Sequence, residues 1–256
     1  MDTDNSFLAA IEGARRIVEA DGVIDLGETA GLLRISAAYA RTGDPVATKL
    51  SKLLREVRAD GVITPEESRQ VIEMLESITS GRLGLADYVK EIPDFPKPGV
   101  IFRDVTGILE SAAGFRQAIN LMEKSLEGQR VDLVAAPESR GFLFGPALAG
   151  RIGAAFAPIR KPGKLPRETI SEKYDLEYGQ AELHIHRDAV IPGERTVIVD
   201  DLLATGGTAA AAARLIERLG GKVVKMVFPI ELEGFGAREN ALKGYDVVSL
   251  VKYPGK

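Results

Sequence analysis

The sequence predicts an α/β domain with a mostly parallel sheet, preceded by a small all-α domain. From about residue 85 onward, short β-rich runs alternate with helical stretches, which is typical of βαβ units. Before that point the chain carries a duplicated helical unit instead. A third observation is a predicted strand that ends in two aspartates and a glycine-containing loop. The predicted domains are residues 1–80 and 85–256, joined by a linker at 81–84.

The composition is that of an ordinary folded protein. The chain has 256 residues, 45% of them hydrophobic and 27% charged, which fits one or two domains and excludes a disordered chain. It contains no cysteine, which excludes disulfides, thiolate metal sites and a cysteine nucleophile. Its first 20 residues do not resemble a signal peptide, and no apolar run is long enough to span a membrane. We therefore expect a cytoplasmic protein without membrane partners.

The first 80 residues contain an internal repeat. The sequence ADGVI at residues 20–24 recurs at residues 59–63. Gly22 and Gly61 fit a tight turn, because glycine adopts positive φ without steric cost. Two copies of the same turn indicate a duplicated helical unit.

Each copy of the turn leads into a helix start. Asp25 is followed by Glu28, and Thr64 by Glu67, which is the spacing of a capping box. Pro65 suits the first helical position. Together with apolar residues at helical spacing, these signals predict four helices, near residues 5–20, 26–41, 45–58 and 65–79.

The repeated turn resembles the second half of an EF-hand calcium loop, and TerB-like helical domains carry similar turns. In that register, loop positions one and three hold Ile17 and Glu19 in the first copy, and Glu56 and Arg58 in the second. Calcium requires six to eight oxygen ligands, so the pattern favours a packing role over calcium binding. Residues 1–80 carry 9 Lys and Arg against 14 Asp and Glu, which argues against nucleic-acid binding. A partner-binding or oligomerising role for this domain is a hypothesis, and the partner is unknown.

The second domain shows alternating strand and helix patterns. In a parallel sheet, ligands bind beyond the carboxyl ends of the strands, so the segments that follow the strands are the candidate functional residues. The predicted strands are 131–136, 155–159, 196–199, 223–230 and 247–250, and the predicted helices are near 114–126, 141–152, 207–219 and 236–243.

One strand end combines the features of a sugar-phosphate site. The apolar strand 196–199 leads into Asp200 and Asp201, and a loop with two glycines then opens a helix. Backbone N–H groups of such a loop and the helix N-terminus can bind a phosphate monoester, while the carboxylates suit vicinal hydroxyls. The combination predicts a ribose 5-phosphate ligand. The expected phosphate-binding residues are Ala204, Thr205, Gly206, Gly207 and Thr208.

The segment VIVDDLLATGGT at 197–208 resembles the PRPP-binding motif of the type I phosphoribosyltransferases, and its DDLLATGGT form is most similar to the adenine phosphoribosyltransferases. Four further segments resemble motifs of that family in order and spacing: DFPKPGVIFRD at 94–104, ESRGFLFG at 138–145, IRKPGKLP at 159–166 and LEYG at 176–179. The resemblance covers residues 85–254 and does not extend to the first 80 residues.

The resemblance implies the type I phosphoribosyltransferase fold, with a hood and a flexible flap. It also implies a Mg²⁺-dependent pentosyltransferase of purine salvage that converts adenine and PRPP to AMP and pyrophosphate, usually as a homodimer. Asp200 and Asp201 would hold the ribose hydroxyls, directly or through Mg²⁺, and no other protein ligand for the metal is expected. In this family the peptide bond between the equivalents of Glu138 and Ser139 is typically cis. The expected pyrophosphate ligands are Arg140, Arg160, Lys161 and Lys164.

The resemblance also assigns the catalytic group and the base site. Residues 161–179 form a long polar segment that we interpret as the flap. Glu177 at its end matches the family's proton-transfer residue, and Tyr178 would order the flap. The expected adenine contacts are Ile101, Phe102 and Arg103 of the hood together with Leu203, with the base recognised mainly by backbone groups.

Two other functions remain open at this stage. The chain could be a PRPP-sensing purine regulator with a phosphoribosyltransferase-like effector domain. Such regulators carry a basic DNA-binding domain, whereas this extension is acidic. The chain could also be a phosphoribosyltransferase for xanthine or orotate, which a panel of bases would distinguish.

Overall fold

The computed structural model describes residues 7, 11–13, 23–41, 44–79, 84–175 and 180–255. The chain divides into two compact units, residues 1–115 and 116–256. The predicted domain boundary at 81–84 stays a prediction, and residues 80–83 lie outside the described residues. Among the described residues, no helix has the length and apolarity needed to cross a membrane.

Three helices form most of the first unit: α1 (Leu26–Ala40), α2 (Pro45–Glu56) and α3 (Pro65–Thr79). They match three of the four predicted helices, while most of the fourth, at 5–20, lies outside the described residues. Their apolar faces are buried against one another. The fully buried side chains include Leu32, Leu50, Leu54, Val71 and Leu75.

Both predicted capping boxes are present. Asp25 Oδ1 accepts a hydrogen bond from the Glu28 N–H at 2.7 Å, and Glu28 Oε2 accepts from the Asp25 N–H at 2.9 Å. Thr64 and Glu67 make the same reciprocal pair, at 3.2 and 2.9 Å. Gly61 has φ +76°, as the turn predicted, whereas Gly22 lies outside the described residues.

The first unit also contains a hairpin that the sequence analysis did not predict. A 3-10 turn at Leu85–Tyr88 leads into β1 (Lys90–Pro93) and β2 (Ile101–Asp104), which pair antiparallel. The short helix α4 (Thr106–Leu109) follows, and α5 (Ala112–Ser125) spans the boundary of the two units.

The second unit is built on a parallel sheet. Its strands lie in the order β10-β9-β7-β3-β4, and every neighbouring pair is parallel. This confirms the predicted α/β class. The elements are β3 (Leu133–Pro137), α6 (Gly141–Ile152), β4 (Ala155–Ile159), β5 (Thr169–Asp175), β6 (Gln180–His186), β7 (Arg195–Val199), β8 (Leu202–Leu203), α7 (Gly207–Arg218), β9 (Lys222–Leu232) and β10 (Val247–Tyr253).

The predicted flap is not an irregular segment throughout. Strand β5 occupies residues 169–175 and pairs antiparallel with β6. The hairpin is held against α7, because Glu172 accepts hydrogen bonds from Arg214 Nε at 2.6 Å and from Arg218 Nη1 at 3.0 Å. The last four residues of the segment, 176–179, lie outside the described residues.

The helix predicted at 236–243 is wrong. Strand β9 is followed by a 3-10 turn at Glu233–Phe235 and then by successive turns. Gly236 and Gly244 have φ +62° and +93°, so both limits of the segment leave the helical region. The Leu242 N–H donates to the Ala237 carbonyl, five residues back, at 2.8 Å. The apolar spacing suits a helix, but positive-φ glycines and burial of the turn determine the conformation.

Candidate active site

Three neighbouring strands end at one edge of the sheet, and each is followed by candidate functional residues. Strands β4, β3 and β7 are adjacent and parallel, so their carboxyl ends lie together. The segment 138–140 follows β3, Arg160 and Lys161 follow β4, and Asp200 and Asp201 follow β7. The sheet topology therefore brings the predicted pyrophosphate ligands and the paired aspartates to the same edge.

The predicted phosphate loop runs from β8 to the start of α7. At its beginning, Leu203 pairs with Glu231 of β9 in a parallel ladder. At its end, Gly206 has φ +80° and is the N-cap residue of α7, with no side-chain hydrogen bond to the cap. The N-terminal N–H groups of α7 therefore lack the side-chain acceptor that caps α1 and α3. Uncapped N–H groups and the helix dipole make this end of α7 suitable for an anion.

The loop encloses a cavity of about 200 Å³. Nine of its lining residues are predicted site residues: Arg140, Asp200, Asp201, Leu203, Ala204, Thr205, Gly206, Gly207 and Thr208. Leu202, Ala209 and Phe228 complete the described lining. A larger groove of about 490 Å³ lies along α1 in the first unit, but its described lining is arginine, alanine and leucine without a carboxylate or glycine loop. Of these two cavities, the smaller one has the chemistry expected of a ribose 5-phosphate site.

The paired aspartates are linked to Arg140. Arg140 Nε lies 2.7 Å from Asp201 Oδ2, and the Asp201 N–H donates to Asp200 Oδ1 at 2.9 Å. Burial and the neighbouring Asp201 carboxylate raise the pKa of Asp200 well above its usual value. Burial also raises the pKa of Asp201, and the Arg140 charge opposes that shift. A ligand that brings cations or hydroxyl donors would favour the ionised pair.

The remaining predicted pyrophosphate ligands follow β4 and are organised by Glu138. Arg160 Nε donates to Glu138 Oε2 at 2.7 Å, and the Lys161 N–H donates to Glu138 Oε1 at 3.0 Å. Arg160 Nη1 also donates to the Lys164 carbonyl at 3.1 Å. Burial raises the pKa of Glu138, but the hydrogen bonds from Lys161 and Arg160 outweigh it and hold this pKa below its usual value. Glu138 therefore stays ionised and fixes the start of the basic segment.

Comparison with known proteins gives the family. Residues 104–250 match the family model described as the phosphoribosyl transferase domain. The adenine phosphoribosyltransferase of Thermoanaerobacter sp. (strain X514) is 55% identical over 165 residues, which cover 64% of this chain and 95% of that protein. The chain belongs to the adenine phosphoribosyltransferase family. The Thermotoga maritima adenine phosphoribosyltransferase is 48% identical and covers 67% of this chain and 99% of its own length.

Solved structures agree with this family assignment. The crystal structure of adenine phosphoribosyltransferase from Thermoanaerobacter pseudethanolicus superposes with a TM-score of 0.63 at 55% identity, covering 65% of this chain and 96% of that one. The Saccharomyces cerevisiae adenine phosphoribosyltransferase, solved with an imino-altritol bisphosphate and adenine, gives a TM-score of 0.60 at 36% identity, over 64% of this chain and 94% of its own. The type I phosphoribosyltransferase fold expected from the motifs is thereby confirmed.

Not every site residue expected for an adenine phosphoribosyltransferase lies at this cavity. Ile101, Phe102 and Arg103 form β2 of the first unit, so their joint contact with a base stays a prediction. Glu177 and Tyr178 lie outside the described residues. The Glu138–Ser139 peptide bond is cis, as the family resemblance implied.

Two residues beside the candidate site were missed by the sequence analysis. A Cβ on Gly141 would lie 2.9 Å from the Val199 carbonyl oxygen and 3.1 Å from Asp200 Oδ1, so only glycine lets α6 start this close to β7. Tyr174 of β5 accepts a hydrogen bond from the Thr208 hydroxyl at 3.3 Å. The sequence could have predicted the close approach at Gly141, because this glycine directly follows Arg140 in the ESRG segment. The hydrogen bond between Thr208 and Tyr174 depends on the packing of the β5–β6 hairpin onto α7, which no local sequence pattern indicates.

Proposed function

We propose that this chain transfers the 5-phosphoribosyl group of PRPP to adenine, forming AMP and pyrophosphate in purine salvage. The observation that carries the proposal is the loop at 200–208, where paired carboxylates precede an uncapped helix N-terminus. The relatives named adenine phosphoribosyltransferase support it, because this chain covers nearly their whole length at 48–55% identity.

In this proposal each part of the loop binds one part of PRPP. The N–H groups of residues 204–208 and the hydroxyls of Thr205 and Thr208 bind the 5-phosphate. Asp200 and Asp201 bind the two ribose hydroxyls. Arg140, with the basic residues that follow β4, neutralises the pyrophosphate as it leaves the ribose. Holding all three groups in place supplies positioning and electrostatic stabilisation of the transition state.

The proton of the adenine imidazole is handled by Glu177 in this proposal, since the LEYG segment matches the family motif. Loss of water around that carboxylate would raise its pKa and suit it to proton transfer. We expect Glu177→Ala to lower kcat by about 10²–10⁴-fold, the usual contribution of a general acid or base, with little change in PRPP binding. A variant that keeps near-normal turnover would contradict the assignment.

Mg²⁺ is the proposed cofactor. We propose that it is held mainly by PRPP oxygens, because Mg²⁺ keeps several waters and usually binds one or two carboxylates together with substrate phosphates. Asp200 and Asp201 are the residues that would contact it, and their raised pKa values fit a pair that ionises more readily beside a cation. When bound, Mg²⁺ would neutralise negative charge on the leaving pyrophosphate.

Adenine specificity is proposed to reside in the hood. Backbone N–H and carbonyl groups near Arg103 would pair with the base, while Phe102 and Leu203 supply apolar faces. The proposal also includes a cytoplasmic location and a homodimer. Mass measurement at several concentrations tests the homodimer directly.

A single assay tests the proposed function. Purified protein is incubated with labelled adenine, PRPP and Mg²⁺, and AMP formation is measured. The expected result is AMP from adenine, with much lower rates for hypoxanthine, guanine, xanthine and orotate. Tight PRPP binding without any AMP would instead favour the regulator, in which the same loop serves as a sensor. The Asp200→Asn, Asp201→Asn double variant is the matched control, because it removes both carboxylates and keeps the loop.

A further inference from the structure

The phosphate loop is supported from behind by an ion pair outside the substrate cavity, formed by the half-buried Arg238 and the buried Glu231. Arg238 binds Glu231 through two hydrogen bonds, from Nε to Oε1 at 2.8 Å and from Nη2 to Oε2 at 2.7 Å. The Glu231 side chain is 4% exposed. Neither residue is among the described lining of the cavity.

Glu231 also meets the first part of the loop through its backbone. It lies on β9 opposite Leu203 of β8, and the Ile230 N–H donates to the Asp201 carbonyl at 3.3 Å. The same residue therefore borders the start of the loop with its main chain and holds Arg238 with its carboxylate.

Arg238 connects the turn at 237–244 to the sheet. Besides Glu231, it donates to the Val247 carbonyl at 2.7 Å and to Ser249 Oγ at 3.2 Å, both on β10. A guanidinium with four such bonds fixes the position of the turn more strongly than packing alone would.

The turn at 237–244 packs against the end of the phosphate loop. A Cβ placed on Gly206 would lie 3.0 Å from Leu242 Cγ, 3.2 Å from Ala237 Cβ and 3.3 Å from Ala241 Cβ. Ala237 and Leu242 are 4% and 1% exposed. These side chains close the space behind Gly206, so the loop cannot relax in that direction without moving the turn.

We propose that Glu231 and Arg238 are positioning residues that hold the loop at 202–208 in its phosphate-binding shape before the substrate arrives. The inference rests on the proposed function of that loop. A loop that adopts the binding shape in only a fraction of molecules binds its ligand more weakly by that fraction. Loss of the ion pair should therefore weaken PRPP binding and leave the chemical step at saturation unchanged.

The test uses three single variants of the full chain: Glu231→Gln, Arg238→Lys and Leu242→Ala. If the loop holds its shape in about one molecule in ten, the KM for PRPP and the Kd for ribose 5-phosphate both rise about tenfold. We expect kcat and the KM for adenine to stay within about twofold. The matched control is Asp132→Asn, which removes a hydrogen-bonded carboxylate at the opposite end of the sheet, beside the start of β3.

The outcomes separate the two proposals. An unchanged Kd for ribose 5-phosphate in all three variants overturns the inference, and so does an equal rise in Asp132→Asn, because a general loss of stability would then explain it. All measurements are made well below the melting temperature of each variant. If the unaltered chain forms no AMP, the proposed function fails, while the ribose 5-phosphate measurement still decides the role of the ion pair.

Discussion

Helix N-termini are treated differently in the two halves of this molecule. Helices α1 and α3 begin with capping boxes, in which Asp25 and Thr64 accept hydrogen bonds from the first helical turn. Helix α7 begins at Gly206 without a side-chain cap. Both kinds of start include a glycine with φ near +80°, Gly61 before α3 and Gly206 at α7.

The difference shows how a helix N-terminus that only stabilises the fold can be distinguished from one that is available to bind an anion. At the starts of α1 and α3 the polar groups satisfy one another, so these helix ends contribute to stability. At α7 the N-cap residue offers no side-chain acceptor, and Leu242 and Ala237 lie against Gly206. In the proposed function the free donors bind the 5-phosphate. A helix start that lacks its own cap and lies beside paired carboxylates indicates a ligand.

The largest expected effect comes from adding one methyl group at each of the two glycines. Gly206→Ala places a Cβ 3.0 Å from Leu242 at φ +80° and must displace the loop, so we expect kcat/KM for PRPP to fall by at least ~10²-fold. Gly61→Ala has open space around it and should cost only about 1–2 kcal/mol of stability. Steady-state kinetics and thermal melting of both variants check this, and equal kinetics for the two would contradict it.

Asp200→Asn is expected to act in opposite directions on activity and stability. Because burial raises the pKa of Asp200, ionising it in the folded state is unfavourable, and asparagine removes that cost. We expect the melting temperature at neutral pH to rise by roughly 2–4 °C, the shift caused by ~1 kcal/mol. AMP formation should fall sharply, because the ribose loses a carboxylate. A lower melting temperature would show that the carboxylate stabilises the fold.

The same carboxylates predict a pH dependence of stability. With a raised folded-state pKa, the folded protein binds more protons than the unfolded chain at pH values above the usual pKa of aspartate. The contribution of the pair to the free energy of unfolding is therefore present at low pH and is lost as the pH rises through the raised pKa values. Denaturant unfolding should be measured at pH values from the usual pKa of aspartate up through the raised pKa values. We expect the free energy of unfolding to fall less steeply with rising pH in the Asp200→Asn variant than in the unaltered chain.

The smallest expected effects come from the two threonines at the helix starts. Thr64→Ala removes a cap and should cost about 1 kcal/mol of stability with no change in activity. Thr208→Ala should leave the melting temperature nearly unchanged and raise the KM for PRPP about tenfold, since it removes one phosphate contact of about 1.4 kcal/mol. If the two variants show the same pattern, the contrast between structural and binding helix starts is wrong.

The sequence alone predicted the features that depend on short spacings. The capping boxes need residues three apart, and the loop at 200–208 needs two carboxylates beside glycines, so both are readable from local chemistry. The sequence did not predict the Glu231–Arg238 pair. Its proposed positioning role depends on the turn at 237–244, which contacts both β10 and Gly206 although they are far apart in the sequence. The failed helix at 236–243 has the same cause, since the apolar residues at helical spacing pack against the loop rather than along one helix face.

The contact between Arg140 and Asp201 has a consequence for the order in which ions enter. Each group currently neutralises the other. A free anion that captures the guanidinium would leave unpaired a carboxylate of which only 6% is exposed. The Arg140 side chain is 47% exposed, so water can solvate its charge when a cation takes the carboxylate. A substrate that arrives already complexed with its counter-ion supplies both replacements at once. We therefore expect the pocket to bind an anion that carries its own cation more tightly than the same anion alone.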